Sequence, residues 1–575
     1  MAASDENDRT EPGAQVSGPV PSQPYLDDQL HGKTTKKKGP PAEPTGRPDI
    51  DAAASRIKKD APVPVAKLPE EVRQSVRALH PGQGHEVHGS KYSLAYFPGP
   101  SRRRPCGDRF GYLSNDKTRQ TSKLPFNPAN KGLLTALGEA MAATQPDRPA
   151  SANSTLLAGM TYVGQFVDHD ITLDVSSTLD IATDANTVHN MRSPSLDLDS
   201  VYGRGPVLDP FLYDIPAGST AIRMQVGTNT DTGPGGPSGD GTQGGMVTHA
   251  DRDVPRLSSA AHTAIIGDPR NDENLLVVQL HHAMLRFHNT IVDAVVASGF
   301  TGDIFVEAKR IATHHYQWAV VHDFLETVCG AAAVNDALAN VSAPVDSSFR
   351  MPVEFSVAAY RFGHSMIRDR YFVNFNFPQA TLGQVFEFNR NPRLPVFSNW
   401  VVDLNAFFDT GVATGRLNHA RKIDTGIAQG LSSLPGFTGL MAKLAVRNLL
   451  RGLALGLPSG QAMATEFGIT PLTAAQLTQG LPAVEQAALD ASGKKLLKRT
   501  PLWYYVLREA AVLENGDRLG PVGARIVAET FVRILKRDPD SFLNISGGFT
   551  PTLPAAVAGT FTWADLVRFS GMHRP

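Results

Sequence analysis

The sequence predicts a mainly α-helical domain with long loops, and three observations point that way. Apolar residues recur with helical spacing along Leu275–Val296, Val306–Val328, Met441–Leu455 and Pro521–Leu535. Strand-like alternation is scarce beside them, and no internal repeat is present. The connections are long and rich in Gly and Pro, which suits a helical protein that encloses a large ligand.

A chain of 575 residues is too long for one minimal core. Residues 1–65 are rich in Pro, Gly, Ser and charge, include Lys36-Lys37-Lys38, and hold too few large apolar residues to offset the entropy of ordering. They read as a disordered tail, and 66–575 as one large helical domain. Within that domain the segment Gly227–Gly245, GTNTDTGPGGPSGDGTQGG, reads as an exposed loop.

Charge and cysteine usage narrow the function. With 55 basic and 56 acidic residues the formal charge is -1, so no overall field favours nucleic acid or an anionic membrane, and a small-molecule chemistry fits better. Cys106 and Cys329 are the only cysteines, which excludes a disulfide framework, an iron-sulfur cluster and an all-cysteine zinc site. Metal chemistry therefore falls to histidines and carboxylates. The start, MAASDENDRTEPGAQ, shows no basic stretch followed by an apolar one, and no run approaches ~20 apolar residues. No transmembrane segment is expected; the cytoplasm is the default location, with unconventional secretion as the alternative.

Thr161–Thr172 reads TYVGQFVDHDIT. On a helix Gln165, Asp168 and His169 share one face, while Asp170 turns about 100° away from His169, so one face can serve a cofactor and the next a second ion. Taken alone, an Asp-His-Asp run is equally a buried, hydrogen-bonded polar turn, and a zinc chelate would need ligands from elsewhere. Ser193–Gly203, SPSLDLDSVYG, alternates carboxylates and hydroxyls. Such closely spaced oxygens suit a hard cation such as Ca²⁺, which Asp170 could staple to the helix, although an Asx-rich turn without metal has the same composition.

Further along, GDPRNDENLLVVQLHHAMLRFHN at Gly267–Asn289 opens with turn residues and sets Arg270 and Glu273 three apart, a spacing that alone reads as a surface ion pair. In AYRFGHSMI, Ala359–Ile367, Arg361 and His364 have the same spacing. The fifth segment, VRNLLRGLALGLPSGQ at Val446–Gln461, places Asn448 and Arg451 three apart. An isolated Arg-His or Leu-flanked Asn needs no function beyond local hydrogen bonding.

Together, in this order, the five segments resemble the animal-type haem peroxidase family of the peroxidase-cyclooxygenase superfamily, as a bacterial-type member. The resemblance implies haem b and Ca²⁺ as cofactors. It gives His169 the acid-base role, Gln165 a place in the distal cavity, and Asp168 and Glu273 ester bonds to haem. Arg270 becomes the distal arginine, His364 the iron ligand and Asn448 its hydrogen-bond partner, while Arg361 and Arg451 reach the propionates. Asp170, Ser193, Ser195, Asp197 and Asp199 become the calcium ligands. His281, His282, His288, His314 and His315 fall on positions outside the haem site and are expected to be core or hydrogen-bonded histidines.

Departures from the family pattern matter as well. Asn274 stands where a mammalian member has a methionine bonded to haem as a sulfonium, so that bond is not expected. Arg361 stands three residues before the axial histidine, where the superfamily's dioxygenases have their catalytic tyrosine, and Tyr360 is one residue removed. The expected activity is reduction of hydrogen peroxide with oxidation of a halide, phenol or other small reductant through an oxyferryl oxidant. A fatty-acid dioxygenase and a non-catalytic haem- or calcium-binding protein are the alternatives.

Overall fold

The structure, a computed structural model, describes residues 109–143, 153–174, 177–229, 251–258, 261–344, 349–388, 394–412 and 415–573. All of them belong to one unit, Pro69–Pro575. The tail at 1–65, Cys106 and most of the Gly-rich loop lie outside the described residues.

Seven α-helices of eleven residues or more form the frame among the described residues: α1 (Pro128–Ala142), α2 (Gly159–Ile171), α3 (Leu275–Ala297), α4 (Ile304–Ala319), α5 (Leu444–Ala454), α6 (Leu502–Leu513) and α7 (Pro521–Arg537). Their starts carry local signals. Asn127 accepts from the Asn130 N–H at 2.9 Å ahead of α1, and Asp303 from the Val306 N–H at 3.0 Å ahead of α4. Asn274 does the same for α3 with two backbone N–H groups, at 3.0 and 3.1 Å. Among the described residues the strands are short, and the four ladders have two strands each. The longest pairs Asn153–Leu157 with His419–Arg421, antiparallel. The mainly helical class expected from the sequence is the class observed.

Helix α2 lies against α3, and on another side against the segment Ala359–Met366. Its start requires glycine: the Gly159 N–H donates to the Phe407 carbonyl at 3.1 Å, and a Cβ there would sit 2.4 Å from that oxygen. The apolar face of α2 is anchored by Phe166, fully buried and edge-on to Tyr316 and Trp563. Seating that face in the core turns Gln165 and Asp168 towards a cavity on the other side.

Winding departs from the regular α-helix in two places. The helix expected at Val306–Val328 runs as α4, widens to a π turn at Val320–Leu325 and closes with an α turn at Glu326–Cys329. The second is Glu354–Ala358, also π-wound, which tightens into a 3₁₀ segment at Ala359–Met366. In a 3₁₀ helix residues three apart eclipse, so Arg361 and His364 project in one direction. No helix among the described residues is long and apolar enough to cross a membrane.

Glu509 joins α6 to α7 by accepting from the Val522 and Gly523 N–H groups at 2.8 and 3.2 Å. Burial, outweighing those bonds, pushes its carboxyl up to about 7. Because the unfolded value is near 4.3, its contribution to stability is full below about pH 4 and is lost as pH rises through 7. Glu509→Gln keeps an acceptor without the charge. Thermal melts should show the variant gaining on the parent protein by roughly 1–3 kcal/mol at pH 8 and not at pH 4.5.

Candidate active site

Between α2 and Ala359–Met366 lies a cavity. Its polar lining is Gln165 and Asp168 from α2, Glu273 and Asn274 from the start of α3, and Arg361 and His364 from the 3₁₀ segment. Most of the remaining wall is apolar, Met160, Phe386, Leu431 and Leu444 among it. A second cleft is lined by Asp174, Arg447, Asn448 and Arg451, and it shares Arg361 and His364 with the first. These two side chains stand where the spaces meet.

His364 is held by Asn448, whose amide lies 2.8 Å from its Nδ1. With Nδ2 facing the ring, as placed, Asn448 donates and the imidazole proton sits on Nε2. Turned over, its oxygen would accept from Nδ1–H and leave the Nε2 lone pair for a metal. Burial, reinforced by Arg361 and Arg447, pushes the His364 pKa down to about 3, so the ring is neutral at physiological pH, the state that ligates. The Arg361 Nε donates to the Ser356 carbonyl at 2.7 Å, and its Nη1 lies 3.9 Å from Asp168 Oδ2. Arg451 donates to Asp174 at 2.5 Å and to the Ser177 hydroxyl at 2.8 Å. A neutral imidazole in a mostly apolar cavity, with guanidinium groups nearby, is a donor set that fits haem.

His169 is fully buried. Its Nδ1 lies 2.8 Å from Asn271 Oδ1, and its Nε2 lies 3.6 Å from Glu273 Oε1. Glu273 in turn accepts from the Gln165 amide, and Asn274 donates to Gln165 Oε1 at 3.2 Å. Asp168 accepts from the Thr172 hydroxyl at 2.7 Å through Oδ1, leaving Oδ2 towards Arg361. The structure thus brings His169, Gln165, Asp168 and Glu273 together.

Arg270 is set behind this group rather than in the cavity wall. Its guanidinium, fully buried, donates to Asp268 at 2.7 Å, to the His169 carbonyl at 2.8 Å and to the Thr172 carbonyl at 2.8 Å. The physical reason is local: Asp268, two residues earlier, captures the fork and aims it at the last turn of α2.

On the next face of α2, Asp170 meets Asp197 and Asp199, one carboxylate oxygen of each lying within 4.8 Å of the others, all buried. Asp170 accepts from the Ser200 hydroxyl at 2.8 Å and from Tyr316 at 3.2 Å. Burial and the neighbouring Asp197 raise the Asp170 carboxyl; burial likewise raises Asp199 well above the usual range, against the pull of Arg192. The Ser193 N–H donates to Asp199 at 3.2 Å, and the Ser195 hydroxyl is buried without a hydrogen-bond partner among the described residues. Leu198 bends the loop through a left-handed conformation, φ 58°. This chemistry, three oxygen anions and a spare hydroxyl, fits a hard cation.

Sequence reasoning missed Asn271 and Asp268. Their signal was adjacency to Arg270, Asp268 capping and Asn271 lying within the short turn Pro269–Asp272. His281 accepts from Asn271 Nδ2 at 3.0 Å, and His288 meets the Tyr202 hydroxyl at 3.0 Å.

Comparison with known proteins follows the same line. The family model described as "Animal haem peroxidase" matches residues 180–553, beginning beyond α2. The chorion peroxidase of Drosophila melanogaster is 26% identical over 313 residues, 50% of this chain and 36% of that protein. Dual oxidase of the same organism is 23% identical over 341 residues, 55% of this chain and 20% of that protein, so the chain spans well under half of either relative. Among solved structures, peroxidase A of Dictyostelium discoideum superposes with a TM-score of 0.51 at 17% identity, covering 81% of this chain and 93% of that one. A fatty acid alpha-dioxygenase of Oryza sativa gives a TM-score of 0.51 at 12% identity, over 85% and 87%. At such identities these likenesses speak to fold; the match over 180–553 goes further, and by it the chain belongs to the animal haem peroxidase family.

Proposed function

We propose that the chain is a haem-dependent peroxidase that reduces hydrogen peroxide and oxidises a small reductant such as a halide or a phenol. The observation that carries this reading is a pair of imidazoles: His364 in the cavity wall, neutral and hydrogen-bonded through Nδ1, and His169, buried behind that wall with its Nε2 towards the wall residue Glu273. Haem, held by His364 with Arg361 and Arg451 towards its propionates, would supply the iron at which peroxide is reduced.

The chain's own residues then have defined work. His169 takes a proton from peroxide at Nε2 and returns it to the departing oxygen, a role worth about 10²–10⁴-fold in rate. Arg270 holds the His169 carbonyl and keeps positive charge behind the ring. Asp168 and Glu273 face the cavity as the carboxyl groups available for ester bonds to haem. Ca²⁺ on Asp170, Asp197 and Asp199, with Ser193 and Ser195, would neutralise the acidic cluster and fix the loop to α2.

A specific observation favours fatty-acid oxygenation as a second reading. Tyr360 lines the same cavity, and its hydroxyl is buried without a hydrogen-bond partner among the described residues. Oxygen uptake with an unsaturated fatty acid, in the absence of peroxide and lost in Tyr360→Phe, would establish that reading in place of the first.

The peroxidase reading is checked by spectroscopy. Purified protein should show a Soret band, and His364→Ala should lose most of its haem. His169→Ala should keep its haem and lose peroxide-dependent phenol oxidation by about 10²-fold or more; haem retained unchanged in His364→Ala would remove the axial assignment. On acid-organic extraction the haem should stay with the chain, whereas release from the parent protein would end the ester assignment alone. Chelation of divalent cations should lower the melting temperature, with recovery on adding Ca²⁺, and Asp170→Ala should abolish that response.

A further inference from the structure

We infer that Asn271 is a positioning residue for His169, holding the ring with its proton on Nδ1 and its Nε2 lone pair on the side of Glu273, at the cavity edge. The inference rests on the peroxidase reading for its consequence, but the hydrogen bonds stand without it.

Three buried side chains form the relay. Asn271 Oδ1 lies 2.8 Å from His169 Nδ1, and Asn271 Nδ2 lies 3.0 Å from His281 Nδ1. All three are fully buried, so water cannot substitute for a lost partner. An amide has one accepting and one donating end, and its direction decides the tautomer of each imidazole it touches. With oxygen towards His169, that ring must donate from Nδ1 and is left with a bare lone pair at Nε2. With the amide reversed, Nδ2–H would donate to His169 Nδ1, the proton would sit on Nε2, and the ring would have no base to offer.

With Oδ1 on His169, the amide Nδ2 falls on His281 Nδ1. Burial, opposed in part by Asp268, pushes the His281 pKa down to about 3, so that ring is neutral and can accept at one nitrogen. Its ring is packed against Phe166 on α2, with centroids 6.2 Å apart. Arg270 and Asn271 are consecutive in the turn Pro269–Asp272, and they hold the carbonyl and the ring of the same residue. One turn thereby sets both the backbone and the imidazole of His169.

Two measurements test this. In haem-loaded ferric protein, cyanide association followed at the Soret band reports the base at Nε2, because hydrogen cyanide must give up its proton as it binds. Asn271→Leu should slow association by about 10–100-fold at unchanged haem content. Asn271→Asp, which keeps the acceptor, should stay within about threefold of the parent protein. An unaltered rate in Asn271→Leu, or equal losses in both variants, would overturn the inference, since the first shows no role and the second a role in packing alone.

The second measurement needs no haem. Apoprotein labelled with ¹⁵N-histidine, its His169 signal assigned by loss in His169→Gln, should show a ring protonated at Nδ1 in the parent protein and in Asn271→Asp. A ring protonated at Nε2 in the parent protein overturns the inference. If the purified chain takes up no haem, the peroxidase reading fails, and the nitrogen spectrum alone decides the role of Asn271.

Discussion

The architecture of the candidate site depends on one buried carboxylate. Asp268 receives Arg192 at 2.6 Å and Arg270 at 2.7 Å, and all three side chains are withdrawn from solvent. Burial alone would raise its pKa, but the two guanidinium groups hold it well below the ordinary range. Arg192 belongs to the strand of chain leading into the acidic loop, and it also reaches Asp199 at 3.4 Å. Arg270 reaches the carbonyls that end α2. Three segments distant in sequence are thus joined through one anion, and removing it would strip the buried Arg270 of this carboxylate and leave Arg192 with Asp199, a loss that costs about 3–5 kcal/mol. Gly267, next to it, admits no side chain, because a Cβ would meet the Ser200 carbonyl at 2.5 Å.

That junction explains a division of labour around the cavity. Cationic groups near Asp268 serve to hold backbone, so the side chains of α2 are presented by a rigid support rather than by their own flexibility. On the opposite side the support is a change of winding. The π turn Glu354–Ala358 followed by the 3₁₀ segment brings Arg361 and His364 into line, and the segment packs on both α6 and α7. Apolar walls between these supports exclude water and strengthen every charge interaction inside.

Much of the fold was legible in the sequence, because helical spacing and end signals are local. Asn274 and Pro521 mark the starts of α3 and α7 at the expected residues. The shared face of Gln165, Asp168 and His169 also follows from helix geometry alone. What escaped has no local signature. The π and 3₁₀ winding is imposed by packing, and spacing of 3.6 residues cannot register it. The setting of Arg270 depends on two carbonyls about a hundred positions away, and carbonyls look alike at every residue. Asn271 escaped for a related reason: its partners His169 and His281 were visible, but only the fold puts both within reach of one amide.

The acidic loop carries a kinetic consequence. Asp170, Asp197 and Asp199 are enclosed, and the loop that holds two of them is tied down by Arg192, Ser193 and the backbone at Leu198 and Ser200. A cation seated there would be hindered from reaching solvent while those ties hold. Its residence time would be set by how often residues 193–199 open, not by its affinity for the closed site, so uptake would belong to folding and loss to local unfolding.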